Sequence, residues 1–132
     1  MLFEDNITFR KNNNLTALED GFKKGNMFND LYIPYKNYEP ALIKPSGKKE
    51  YLLYEIMMLN FAIIDLNLYL DLNPNNQGML KKFNDLVKIC FKKEDEYVKE
   101  YGPLMVKDSD NKEFFSWLNG PWPWQKEDGK YV

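Results

Sequence analysis

Apolar residues are scattered over the first 46 positions, dense from about Lys48 to Asn73, and regularly spaced from about Asn76 to Tyr101. The dense stretch has no Gly or Pro and predicts a long helix, stopped by Pro74, because the residue before a proline is driven out of the helical region. Asn75 or Asn76 can cap a second long helix, which Gly102-Pro103 ends. A connection of a few residues between two such helices makes an antiparallel αα-hairpin. On the second helix Met79, Phe83, Leu86, Cys90, Tyr97 and Tyr101 form one stripe, widened by Leu80, Val87 and Phe91. The first helix carries two stripes. One is Leu52, Ile56, Leu59, Ile63, Leu66 and Leu70; the other is Leu53, Met57, Phe61, Ile64 and Leu68, with Asn60 and Asn67 between them on one side and Glu55 and Asp65 on the other. Two stripes need two partners, and the second helix covers only one. The other must meet the N-terminal arm, the C-terminal tail, another copy or a different protein, since soluble monomers rarely expose an apolar face of that length.

The flanks are short of regular pattern and rich in aromatic residues. A short helix is expected from Thr16 to Lys24, weakened by Gly21 and ended by Gly25, followed by a segment broken by Pro34, Pro40 and Pro45. Tyr32 and Tyr35 bracket Pro34 and are three apart, which aligns them on one edge of a polyproline II helix. The tail holds Phe114-Phe115-Ser116-Trp117 and Pro121-Trp122-Pro123-Trp124. Indoles on a stiff backbone lose little entropy on binding, and Trp and Tyr dominate interface hot spots. Tyr32, Pro34, Tyr35, Ile64, Trp117, Trp122 and Trp124 are therefore the candidate partner contacts; the alternative is that arm and tail fold back over the second stripe. The expected fold is all-α: an antiparallel two-helix hairpin (47–104) between an extended Pro/Tyr-rich arm (1–46) and an aromatic tail (105–132).

Composition removes most chemistry. The chain of 132 residues and 15.8 kDa allows one domain. It has no histidine and one cysteine, Cys90, so no Ser/His or Cys/His nucleophile pair, His-ligated zinc or imidazole-ligated haem can be built, and no internal disulfide. No catalytic, cofactor or metal site is expected. With 18 basic against 20 acidic residues and Arg10 as the single arginine, nucleic acid is not an expected partner. The apolar run Tyr51 to Leu70 is long enough to span a bilayer, but Glu55 and Asp65 near its centre would together cost roughly 5–7 kcal/mol; a packed core helix is expected instead. No leader pattern follows Met1, so a cytosolic start is expected. Asp65, between Ile64 and Leu66, has the setting of a buried general acid, but a helix-edge Asp bonded to a Tyr or Lys of the arm explains it better. Glu94-Asp95-Glu96 point about 100° apart and cannot converge on one ion. Cys90 reads as a small buried hydrophobe. Leu72 to Asn76, followed by Met79, Leu80 and Phe83, resembles a single tetratricopeptide turn, leaving a helical peptide-binding adaptor as the alternative function.

Asp65-Leu66-Asn67-Leu68-Tyr69-Leu70-Asp71, Pro74, Tyr101-Gly102-Pro103-Leu104 and Pro121-Trp122-Pro123-Trp124, in that order, resemble the core signature of the CotJB spore coat proteins over roughly Lys49 to Gln125. Leu31-Tyr32-Ile33-Pro34-Tyr35 is similar to the proline-rich ending of CotJA, so the chain resembles a CotJB domain with a CotJA-like arm. That arm departs from the shorter family pattern, and Asn73 stands where many members have His. The resemblance implies a non-catalytic component or assembly factor of the inner spore coat, made in the mother cell cytoplasm. Its implied partners are other coat proteins, above all a manganese-catalase-like one, with a homo-oligomer also open.

Overall fold

A computed structural model describes residues 15–31, 36–40, 43–118 and 122; Tyr32, Pro34, Tyr35 and Trp124 lie outside the described residues. Three α-helices follow one another, α1 (Leu18–Lys24), α2 (Gly47–Leu72) and α3 (Gln77–Tyr101), then 3-10 turns at Val106–Asp108 and Ser116–Leu118. The chain is helical, and its two long helices pack together as a hairpin. It divides into two compact units, 1–93 and 94–132, with α3 running from the first into the second.

Local chemistry sets the helix ends. At the start of α2 the Glu50 carboxylate accepts hydrogen bonds from the Ser46 N–H at 2.8 Å and the Ser46 hydroxyl at 3.1 Å, which hold its pKa below the ordinary carboxylate value. Pro74 ends α2 as expected. Asn76 is the cap of α3: its Oδ1 accepts the Met79 N–H at 3.1 Å, while its Nδ2 donates to the Tyr69 hydroxyl at 2.9 Å and ties the turn back to α2. Gly102 leaves α3 at φ 120°, a conformation that L side chains rarely adopt.

The first unit is organised around α2, which has three apolar faces rather than two. Leu52, Ile56, Leu59 and Leu66 are buried along one stripe, and Leu59 and Leu66, with Ile63 and Leu70, share a core with Met79, Leu86 and Cys90 of α3. Ion pair and thiol mark its edges: Lys93 Nζ lies 3.0 Å from Glu55 Oε2, and Cys90 Sγ donates to Asn60 Oδ1 at 3.6 Å.

A second face, Tyr54, Met58, Ala62, Asp65 and Tyr69, is covered by residues 15–28. This segment closes on itself, with the Thr16 N–H bonded to the Met27 carbonyl at 2.9 Å and Leu15 bridged to Phe28 around α1. Gly21 permits the closure, since a methyl there would run into Met27 Sδ and Thr16 Cγ2; what reads as a weak point in a helix is a site of close approach. Phe22 meets Tyr54 and Phe61 edge-on at 5.7 and 5.8 Å, and Phe28 stacks on Tyr69 at 5.3 Å. Burial, with negative Glu19 nearby, pushes the Tyr54 phenol above its ordinary value. Asp65 accepts the Met27 N–H at 2.8 Å. The carboxylate therefore does bond to the arm, through main chain rather than a Tyr or Lys side chain.

Asp65→Ala leaves the half-buried Met27 N–H without its charged acceptor. Loss of about 1.5–3 kcal/mol of unfolding free energy is expected, measured by urea denaturation. A change within error would mean that this bond does not hold the segment to α2.

Candidate interaction surfaces

The third face of α2 is open. Met57, Ile64, Leu68 and Leu72 are 48%, 60%, 58% and 85% exposed. Ile64, placed by sequence mid-stripe, lies in the middle of this line. Phe61, expected in the same stripe, is half-buried under Phe22 and forms its boundary with α1. On α3, Phe91 is 66% exposed. Lys93, three residues after Cys90, turns toward the α1 side to meet Glu55, so Phe91, about 100° the other way around α3, turns toward the Asn60 side. Phe91 thus does not widen the buried stripe of α3 as the spacing suggested. The open face of α2 is the line of Met57, Ile64, Leu68 and Leu72, and Phe91 is exposed on α3.

The second unit carries the aromatic cluster. Tyr97 is buried and lies 5.3 Å from the Tyr101 ring; burial, and then Tyr101, push its phenol above the ordinary value. Farther on, Asn111 organises a tight turn: its Oδ1 accepts the Ser116 N–H at 3.1 Å and its Nδ2 donates to the Ser109 hydroxyl at 2.8 Å. The Ser116 hydroxyl donates to the Asp110 carbonyl. This clamp presents Trp117, which meets Trp122 edge-on with ring centroids 4.8 Å apart. Phe114, Phe115 and Leu118 are exposed around it. The structure therefore brings Trp117 and Trp122 together and places Ile64 in the first unit.

Glu55, Cys90 and Asp95 are each engaged in packing or pairing. Glu55 is paired with Lys93, Cys90 is buried against Asn60, and Asp95 pairs with Lys99 at 2.9 Å one helical turn on. Among the described residues no group of three His, Cys, Asp or Glu is placed to share a metal ion. α2 is long and apolar enough to cross a membrane by length and composition alone, yet two of its three faces are packed against protein.

The described residues present a helical hairpin with an open apolar face and a clamped pair of indoles. Residues 50–125 match the family model described as CotJB protein, more than half of the chain, and the chain belongs to the CotJB family. Membership carries a spore-coat role and location. No curated protein and no solved structure matches the chain.

Asn111→Ala removes both side-chain bonds of the clamp, each contributing about 0.5–1.5 kcal/mol. The near-ultraviolet circular dichroism of the tryptophans should fall while the far-ultraviolet helical signal stays unchanged. A preserved tryptophan signal would mean that the indoles hold each other without the clamp.

Proposed function

We propose that the protein is a non-catalytic structural or assembly component of the spore coat, made in the mother cell cytoplasm, which packs on a manganese-catalase-like coat protein. The tail supplies the anchor, through Trp117, Trp122 and Trp124. The arm, a CotJA-like element with Tyr32, Pro34 and Tyr35, acts as a strap, and the open face of α2 around Ile64 is a further contact with coat protein. The observation that carries this reading is the Trp117–Trp122 pair, fixed on a hydrogen-bonded turn among exposed Phe114, Phe115 and Leu118. Aromatic side chains ordered before binding are the kind of feature that concentrates binding energy. Absence of histidine from the sequence supports the non-catalytic part, so that any redox chemistry belongs to the partner. The helical peptide-binding adaptor of tetratricopeptide type is the competing proposal.

Co-expression with a manganese-catalase-like coat protein separates the two. The pair should co-purify, and Trp122→Ala with Trp124→Ala should weaken binding at least roughly tenfold, about 1.4 kcal/mol, with helicity nearly unchanged. Tyr32→Ala or Tyr35→Ala should each weaken it less. Undiminished binding by the double Trp variant would remove the anchor. Failure to co-purify, with capture of extended peptides instead, would favour the adaptor.

A further inference from the structure

We propose that residues 15–28 are an exchangeable docking module: the face of α2 that they cover is an interaction site, and the same segment of a second copy fills it when copies of the chain are crowded. The proposal is independent of the tail anchor and of the open face of α2. The segment keeps its shape by bonds of its own. The Thr16 N–H bonds to the Met27 carbonyl, Asn26 Oδ1 accepts the Phe28 N–H at 2.8 Å, and Lys23 pairs with Glu19 at 3.2 Å. It is held to α2 by Phe22 against Tyr54 and Phe61, by Phe28 on Tyr69, and by the Met27 N–H on Asp65. The same segment from a second copy repeats each of these contacts, so exchange loses none of them.

What joins the module to α2 is not part of the packing. Residues 29–46 form neither helix nor strand where they are described, and those described are exposed except for half-buried Pro45. The family match starts at Glu50, so the floor of the site lies inside the family domain, and module and connection precede it. The two ends of the module, Leu15 and Phe28, are bridged and lie at the level of Asp65 and Tyr69, whereas Phe22 at its tip reaches back to Tyr54. Within one chain the backbone must therefore return from the level of Asp65 to Gly47, about 27 Å along the helix axis. In a two-fold pair with antiparallel α2 helices the start of one α2 stands beside the end of the other. There the return is not needed.

The length of the connection decides which closure wins. Residues 29–46 span about 23 Å as a flexible coil and about 56 Å fully drawn out, which brackets the distance required. They present the module to its own α2 at an effective concentration on the order of millimolar. Closure within one chain therefore dominates in micromolar solution, and exchange competes once the chain itself approaches millimolar concentration. A packed protein coat meets that condition.

Deleting Leu31 to Lys44 tests this, because the remaining connection reaches about 18 Å from Phe28 to Gly47 and cannot make the return within one chain. By sedimentation equilibrium at about 10–100 µM, well below the effective concentration, the wild type should be monomeric and the shortened chain a dimer that keeps its helices. In the shortened chain Asp65→Ala should weaken that dimer at least roughly tenfold, whereas Ile64→Asp, on the open face, should leave it unchanged. For the full chain, Phe28→Cys on one copy and Tyr69→Cys on another are mixed under mild oxidation. The mixed cross-link should exceed the self-cross-links at about 2 mM and be absent at about 10 µM. A shortened chain that stays monomeric, a dimer that Ile64→Asp breaks and Asp65→Ala does not, or no mixed cross-link at millimolar concentration would each overturn the proposal. Should the shortened chain fail to fold, the cross-link in the full chain decides.

Discussion

A helix that is apolar on every side cannot be satisfied by one neighbour, and this constraint on α2 organises the first unit. Each fully buried Leu, Ile or Met side chain contributes about 1.5–3 kcal/mol relative to exposure, so every uncovered face forgoes a stabilising term. α3 covers the face of Leu59 and Leu66. The segment 15–28 covers the face of Tyr54, Met58, Ala62 and Tyr69, held by two edge-on ring contacts from Phe22 and by the Asp65 bond to the Met27 N–H. The third face remains open along Met57, Ile64, Leu68 and Leu72.

Helix boundaries were legible because their signals are local. Pro74, Asn76 and Gly102 act within one turn of themselves, and the structure ends or starts helices at each. The number of faces on α2 was not legible. Asp65 sits in the middle of the face that residues 15–28 cover, and a carboxylate flanked by apolar residues ordinarily marks a boundary with water; here its charge is answered by a main-chain N–H 38 residues away, which no spacing encodes. Phe91 was placed in the buried stripe because periodicity gives the angle around α3 but not how far packing reaches. The Cys90–Asn60 and Glu55–Lys93 contacts set that limit. In the tail the aromatic residues were legible as candidates, but the Asn111 clamp was not, since it joins side chains to backbone across an irregular segment.

The family match runs from Glu50 to Gln125 and takes in nearly all of α2, α3 and the aromatic segment, while residues 15–28, which cover one face of α2, precede it. The residues that could carry chemistry elsewhere, Cys90 and Glu55, are committed to holding α2 and α3 together.

Native-state hydrogen exchange resolved to single amides tests most directly whether α2 is the centre on which the first unit depends. The amides of Met58, Leu59, Ala62 and Leu66, residues that are fully buried, should exchange slowest in the chain, with the free energy of global unfolding, and residues 18–24 of α1 should exchange faster. Exchange of those α2 amides as fast as the ends of α3 would contradict the account.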